Sequence, residues 1–172
     1  MHPAWGTRNL VFATGDSYLE LITVVDPAVA SETAFGRRVT DVAAGGGGLA
    51  MWAVRLADLS GVAARLSLDP VAGSRVTDDG ALLTWSTAGT ERAAVTGLPF
   101  FISWDGGLPP HARSAGALPA TRLARLTTSD EQGSLDTWVG GALPLVRHVA
   151  GGGGIESIML STVTGALHLP YR

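Results

Sequence analysis

Glu20 is the side chain whose setting calls for chemistry. It stands within Ser17-Tyr18-Leu19-Glu20-Leu21-Ile22, an otherwise apolar run that alternates like a strand. A carboxylate set among apolar side chains is costly to keep charged. Such a setting raises its pKa and equips it as a general base or a metal ligand. The plainer expectation is a rim carboxylate paired with an arginine such as Arg55. Asn9 is the nearest amide in the pattern. Gly15-Asp16, between two apolar runs, predicts a two-residue turn with positive φ. Thr14 then faces Ser17, Val11 faces Glu20 and Asn9 faces Ile22. One face of the hairpin carries Asn9, Val11, Ala13, Tyr18, Glu20 and Ile22, with acid and amide diagonally adjacent. The other carries Leu10, Phe12, Leu19 and Leu21 and is expected to pack on helices.

Further candidates are weaker in pattern. Thr7 and Asn9 have side chains that orient a ligand or hold Glu20, or that simply bond along an edge. Trp52, Trp85 and Trp104 fall on predicted strands; with Tyr18 they are the rings expected to line an apolar pocket, and Ser103 is the polar residue among them. His2 stands at the extreme terminus and is expected to fray unless tied down. His111 falls in a Pro/Gly-rich loop and reads as a surface histidine. His148 and His168 have no metal-ligand spacing and read as structural. Ser17, Ser103 and Ser157 lack a GxSxG elbow or a nearby His-Asp pattern, which argues against a serine hydrolase.

Composition narrows the classes. The chain has 172 residues, 46% hydrophobic and 16% charged, enough for a core. Net charge is −3 with dispersed arginines and no lysine, which argues against a nucleic-acid surface. Cysteine is absent, so thiolate sites and disulfides are excluded. No apolar run approaches the ~20 residues that span a bilayer, and MHPAWGTRN lacks the pattern of a signal peptide. A cytoplasmic protein without membrane or nucleic-acid partners is the expectation.

The elements that would position these residues follow in order. A helix is predicted through SETAFGRRVTDVAA with Ser31 as N-cap, ended by the connector Gly45–Gly48. Leu49–Leu56 reads as a strand and LSGVAARL as a short helix capped by Asp58. Strands follow at Ser74–Thr77, Ala81–Thr87 (after an Asp79-Gly80 turn) and Pro99–Trp104. Residues 107–119 form the linker between a region 1–106, with a complete unit at 49–106, and a unit at 120–172. That last unit repeats the order: strand Arg122–Thr128, a helix from a Ser129/Gln132 capping box to Gly140, then Leu145–Val149, Ile155–Leu160 and Ala166–Leu169. The period is roughly 60–70 residues. In that frame the opening hairpin corresponds to the last two strands of a further unit, and the expected fold is α+β.

A repeated βαβββ module with an acid on its last strand resembles the vicinal oxygen chelate superfamily, and more narrowly its glyoxalase-like domain proteins. The residues that carry this are His2-Pro3-x-Trp5-Gly6-Thr7-x-Asn9, Tyr18-Leu19-Glu20-Leu21-Ile22, WAVRLADLSGVAARL, and Gly97-Leu98-Pro99-Phe100-Phe101-Ile102-x-Trp104. The resemblance implies paired modules forming a cupped mixed sheet with helices on the convex side, the first module N-terminally truncated. It places Glu20 at the last-strand metal-ligand position. The second-module positions fall at Met51 or Trp52 and at Ile102 or Ser103, which leaves Glu20 short of the about three ligands a catalytic metal wants. Two expectations follow. One is a small-molecule pocket without a full metal-ligand set, as in the resistance proteins of that superfamily, suited to an aromatic or cationic ligand. The other is a metal-dependent lyase, isomerase or dioxygenase whose ligands are completed by an upstream segment or a second subunit. Sheet completion between chains makes a homodimer the expected assembly.

Overall fold

The computed structural model describes residues 2–77, 80–107, 121–130 and 135–170. The opening hairpin forms as its turn residues dictate. Strands β1 (Thr7–Thr14) and β2 (Ser17–Val24) pair antiparallel with Thr14 opposite Ser17, Val11 opposite Glu20 and Asn9 opposite Ile22. Gly15 takes the positive φ of the turn, 69°. The two strands make a sheet of their own.

The single helix expected from Ser31 is corrected to two: α1 (Pro27–Glu32) and α2 (Ala34–Ala44). Asp26 is the first N-cap, its Oδ1 accepting from the N–H of Ala28 and Val29 at 3.1 and 3.2 Å. Pro27 behind it has its φ preset for a first helical position. Thr33 is extended between the helices, and its Oγ1 accepts from Gly36 N at 3.0 Å as the second cap. Ser31 caps nothing; its hydroxyl donates to Ala28 O at 2.7 Å.

The next unit comprises β3 (Ala53–Arg55), α3 (Ser60–Leu66), β4 (Val71–Val76), β5 (Leu82–Ala88), α4 (Thr90–Thr96) and β6 (Phe100–Trp104). Its sheet runs β3-β6-β5-β4, with β3 parallel to β6 and the other pairs antiparallel. Three readings change here. The strand at Leu49–Leu56 shrinks to three residues, because Gly48–Met51 find no ladder partner. Leu59, not Asp58, occupies the N-cap of α3; Asp58 accepts a hydrogen bond from the Ser60 hydroxyl instead. The helix α4 lay hidden in TERAAVT, a segment of seven residues bounded by Gly89 and Gly97, both with positive φ. Asp79 of the expected turn lies outside the described residues.

The last unit comprises β7 (Arg122–Asp130), α5 (Leu135–Val139), β8 (Val146–Ala150), β9 (Gly154–Thr162) and β10 (Gly165–Pro170). Its element order repeats that expected for the unit before it, but its sheet runs β10-β9-β7-β8. The first strand is therefore internal here, whereas β3 lies at an edge. Ser129 does not cap a helix. It lies in β7, and its hydroxyl donates to Glu156 Oε1 at 2.5 Å. Gln132, His111 and residues 108–119 of the linker fall outside the described residues.

Among the described residues, three apolar clusters hold these α+β layers together. On one face of the β3–β6 sheet, Phe101 and Ala88 pack with Leu59 and Val62 of α3 and Trp138 of α5. Trp138 Nε1 donates to Pro99 O at 2.7 Å, and the Arg65 guanidinium donates to the carbonyls of Thr137 and Trp138 at 2.6 and 2.7 Å. The last unit is thus anchored on the helix-covered side of this sheet. On the opposite face Leu83, Trp85, Ile102 and Trp104 meet Tyr18 of the hairpin. The third cluster, Leu126, Ile155, Ile158 and Leu160, receives Leu19 and Trp52. Among the described residues no helix is long and apolar enough to cross a membrane.

The hairpin therefore lies between two sheets, which corrects the expectation that its apolar face packs wholly on helices. Leu19 meets the β7–β9 sheet, while Leu10 and Leu21, directly paired, stay 65% and 62% exposed.

Candidate functional site

A cavity of about 550 Å³ runs along β2. Every residue from Asp16 to Ile22 lines one wall, and every residue from Gly47 to Ala53 lines the other. Helix α2 contributes Phe35, Val39 and Val42, and the last sheet contributes side chains of β7 and β9. Alternate residues of a paired strand turn their N–H and C=O groups away from the partner. With Thr14 and Ser17 closing a two-residue turn, the outward-turned groups of β2 belong to Tyr18, Glu20 and Ile22.

Glu20 lines this cavity. It keeps more than a third of its own surface open, yet protein surrounds it, and that crowding raises its pKa from the ordinary carboxylate value. The two facts are compatible because its open surface faces the cavity, so the open surface is what a ligand would meet. A hydrogen bond from the Asn9 amide and the positive charge of Arg75 pull in the other direction. Asn9 is 8% exposed, and its Oδ1 has no hydrogen-bond partner.

The hairpin face with Glu20 looks toward the sheet face with Trp85 and Trp104. Trp85 has room there because Gly73 lies opposite it on β4; a Cβ at Gly73 would come within 2.5 Å of the indole. The two indoles are 5.3 Å apart, and Tyr18 meets Trp104 edge-on at 6.4 Å. Burial, and then the charge of Glu20, raise the Tyr18 pKa further from neutrality. Trp104 Nε1 lies near enough to the Tyr18 hydroxyl to favour its ionised form, but its geometry falls short of a hydrogen bond and the N–H is left without a partner.

His2 is not frayed. It is 8% exposed, its backbone N donates to Thr7 O at 2.7 Å, and its Nδ1 lies 3.2 Å from Thr7 Oγ1. Its ring meets Trp5 and Trp85 edge-on at 5.6 and 6.0 Å. Burial first, and then neighbouring positive charge including that of Arg75, lower its pKa from 6.5 to about 4.

The expected site residues divide accordingly. Glu20, Tyr18 and Trp52 line the cavity together. Trp52 is fixed there by its indole N–H, which donates to Gly97 O at 3.0 Å. Asn9 stands behind Glu20, and Trp104 and Trp85 stand behind Tyr18. Ser103 is not brought to the site: it shares the parity of Phe101 on β6, facing the helices, and its hydroxyl donates to Ala57 O at 3.0 Å. His148 and His168 lie on β8 and β10 of the other four-stranded sheet, both exposed. Arg75 was not singled out by sequence reasoning, and Arg55 only as a partner for Glu20. The available signal was the alternation Gly73-x-Arg75 beside the tryptophan strand.

Among the described residues, the donor set around Glu20 does not fit a divalent metal. Among the described residues no three His, Cys, Asp or Glu side chains gather into a group that could hold one. Glu20 has Asn9, Tyr18 and arginines for neighbours.

A family model described as a glyoxalase-like domain matches residues 1–140. No curated protein matches the chain. Among solved structures, a hypothetical protein from Staphylococcus aureus superposes with a TM-score of 0.58 at 13% identity, covering 98% of this chain and 74% of that one. At such identity the likeness speaks for the fold alone. The family match spans most of the chain and includes the hairpin, the cavity wall at Gly47–Ala53 and the tryptophan sheet, so the chain belongs to the glyoxalase-like domain family.

Proposed function

We propose that the protein binds a small, largely apolar molecule in the cavity along β2, with Glu20 and Tyr18 as its polar contacts and Trp52 as part of its wall. The observation that carries this reading is Glu20: a carboxyl with a raised pKa, open toward a cavity of about 550 Å³. That volume falls within the about 300–1,000 Å³ of small-molecule sites, which combine apolar walls with a few polar groups. Trp85 and Trp104 hold Tyr18 in place from behind, and Asn9 positions Glu20.

A second reading, a metal-dependent lyase, isomerase or dioxygenase with Glu20 as ligand or base, requires donors beyond those that surround Glu20. Metal analysis of chelator-treated protein separates the two. We expect the same low divalent-metal content in the wild type and in Glu20→Gln. Near-stoichiometric metal that is lost in Glu20→Gln would replace the first reading with the second.

A homodimer is part of the proposal. The exposed Leu10–Leu21 pair makes an apolar patch beside the cavity. Such patches are commonly covered by a second chain. Light scattering is expected to give twice the chain mass, and replacing both leucines with serine is expected to shift the protein toward monomer. A wild-type monomer at high concentration would contradict this assembly.

A further inference from the structure

The charges around the cavity specify the ligand further, and the inference rests on the proposed function above. The chain as a whole carries a net charge of −3. Among the residues that line the cavity, Arg55 stands with Asp16 and Glu20, and three further arginines lie near its walls. Arg55 lines it, on the sheet face that carries Ile102. Arg75 lies on the same face at the other edge of that sheet, in register with Leu83. Both act on the Tyr18 hydroxyl through their charge. Among the described residues, neither arginine makes an ion pair or a side-chain hydrogen bond. Arg38 reaches the far wall, donating from Nε to Ala50 O at 3.2 Å. At the turn end, the Arg122 side chain lies against Gly15, next to Asp16. The acids of the cavity are Asp16 and Glu20.

Arg55 in the cavity wall, and Arg75 on the far edge of the same sheet face, are guanidinium groups without an ion pair among the described residues. Free guanidinium groups recognise carboxylates through charge-assisted bonds.

We propose that the ligand is a small organic acid: an apolar body lies along β2 and a carboxylate is held at Arg55, with the charge of Arg75 adding to the attraction. Of the aromatic or cationic ligand expected from sequence, this keeps the apolar body and replaces the positive charge with a negative one. Glu20 then meets the polar part of the ligand next to the carboxylate rather than a positive head.

The test compares three probes that share one apolar body: 4-phenylbutyrate, 4-phenylbutyramide and 4-phenylbutylamine, each titrated calorimetrically into the full chain. The acid is expected to bind at least about tenfold more tightly than the amide, as a bond to a charged group implies, and the amine most weakly. Its affinity should fall with added sodium chloride while that of the amide does not. In Arg55→Met the preference for the acid over the amide should be lost; Arg75→Met should give a smaller loss. The wild-type comparison stands by itself if either variant fails to fold. Equal binding of acid and amide, or preference for the amine, would overturn the carboxylate assignment and leave the small-molecule reading intact. Binding of none of the three up to millimolar concentration would overturn both.

Discussion

Replacing Phe101 with alanine is expected to remove about 3–5 kcal/mol of stability, the usual cost of emptying a fully buried aromatic site. Phe101 is 1% exposed and sits in β6 between Val54 of β3 and Ala88 of β5. Its ring lies 5.8 Å from that of Trp138, so it joins the central sheet to the helix of the last unit. Trp138 cannot follow the vacated space freely, because its indole is bonded to Pro99 O and its face carries the Arg92 guanidinium at 5.4 Å. The cavity left behind therefore stays largely open. Domains of this kind have about 5–15 kcal/mol of stability in total, so the variant should unfold at a much lower urea midpoint. Phe101→Leu should lose less. Phe101 faces away from the ligand cavity, so any folded variant should keep its ligand affinity. A loss below ~1 kcal/mol for Phe101→Ala would mean that α5 does not pack on this sheet.

The second large effect depends on pH. Burial lowers the His2 pKa from 6.5 to about 4. In the unfolded chain His2 takes up a proton near pH 6.5, whereas in the folded chain it stays neutral until about pH 4. Its contribution is therefore fully present above about pH 6.5 and is lost as pH falls toward 4. The difference corresponds to up to about 3 kcal/mol. Glu20 has the opposite sign. Its folded pKa lies above the ordinary 4.5, so the folded state loses stability as pH rises from there through the raised value. Over the shared window the two groups pull against each other, and variants separate them. His2→Phe keeps a ring against Trp5 and Trp85 and should flatten the part of the acid loss that His2 causes. Glu20→Gln should be more stable than wild type at neutral pH and equal to it near pH 4. Urea titrations across pH check both. Parallel curves for wild type and His2→Phe would show that His2 is not buried in the folded protein.

The hairpin was legible to the register, because a two-residue Gly-Asp turn leaves one way to pair the flanking strands. The face carrying Glu20 and Asn9 followed from that register. A single helix starting at Ser31 passes over Asp26-Pro27, the stronger start signal, and over the extended Thr33 that divides the segment in two. Helix α4 was missed because Gly89 and Gly97 flank a segment too short for a clear period. Ser103 was placed on the wrong side for want of the face of β6, which only the packing of Phe101 and Trp104 settles. His2 looked frayed because the tryptophans that bury it come from different parts of the chain. The same reason hid the arginines. Arg55 and Arg75 lie on the two outer strands of one sheet, and no local pattern says that they face the same hairpin.

The most direct test of the small-molecule reading is a nitrogen–proton correlation spectrum of the protein with a library of small aromatic fragments, read at the five tryptophan indoles. Trp52 lines the cavity, whereas Trp138 is buried on the helix-covered side of the neighbouring sheet. The account predicts that binding fragments move the Trp52 indole and the backbone amides of Tyr18, Glu20 and Ile22, with saturable titrations, and leave Trp138 in place. Shifts that bypass Trp52 and β2, or no saturable binding by any fragment, would contradict it.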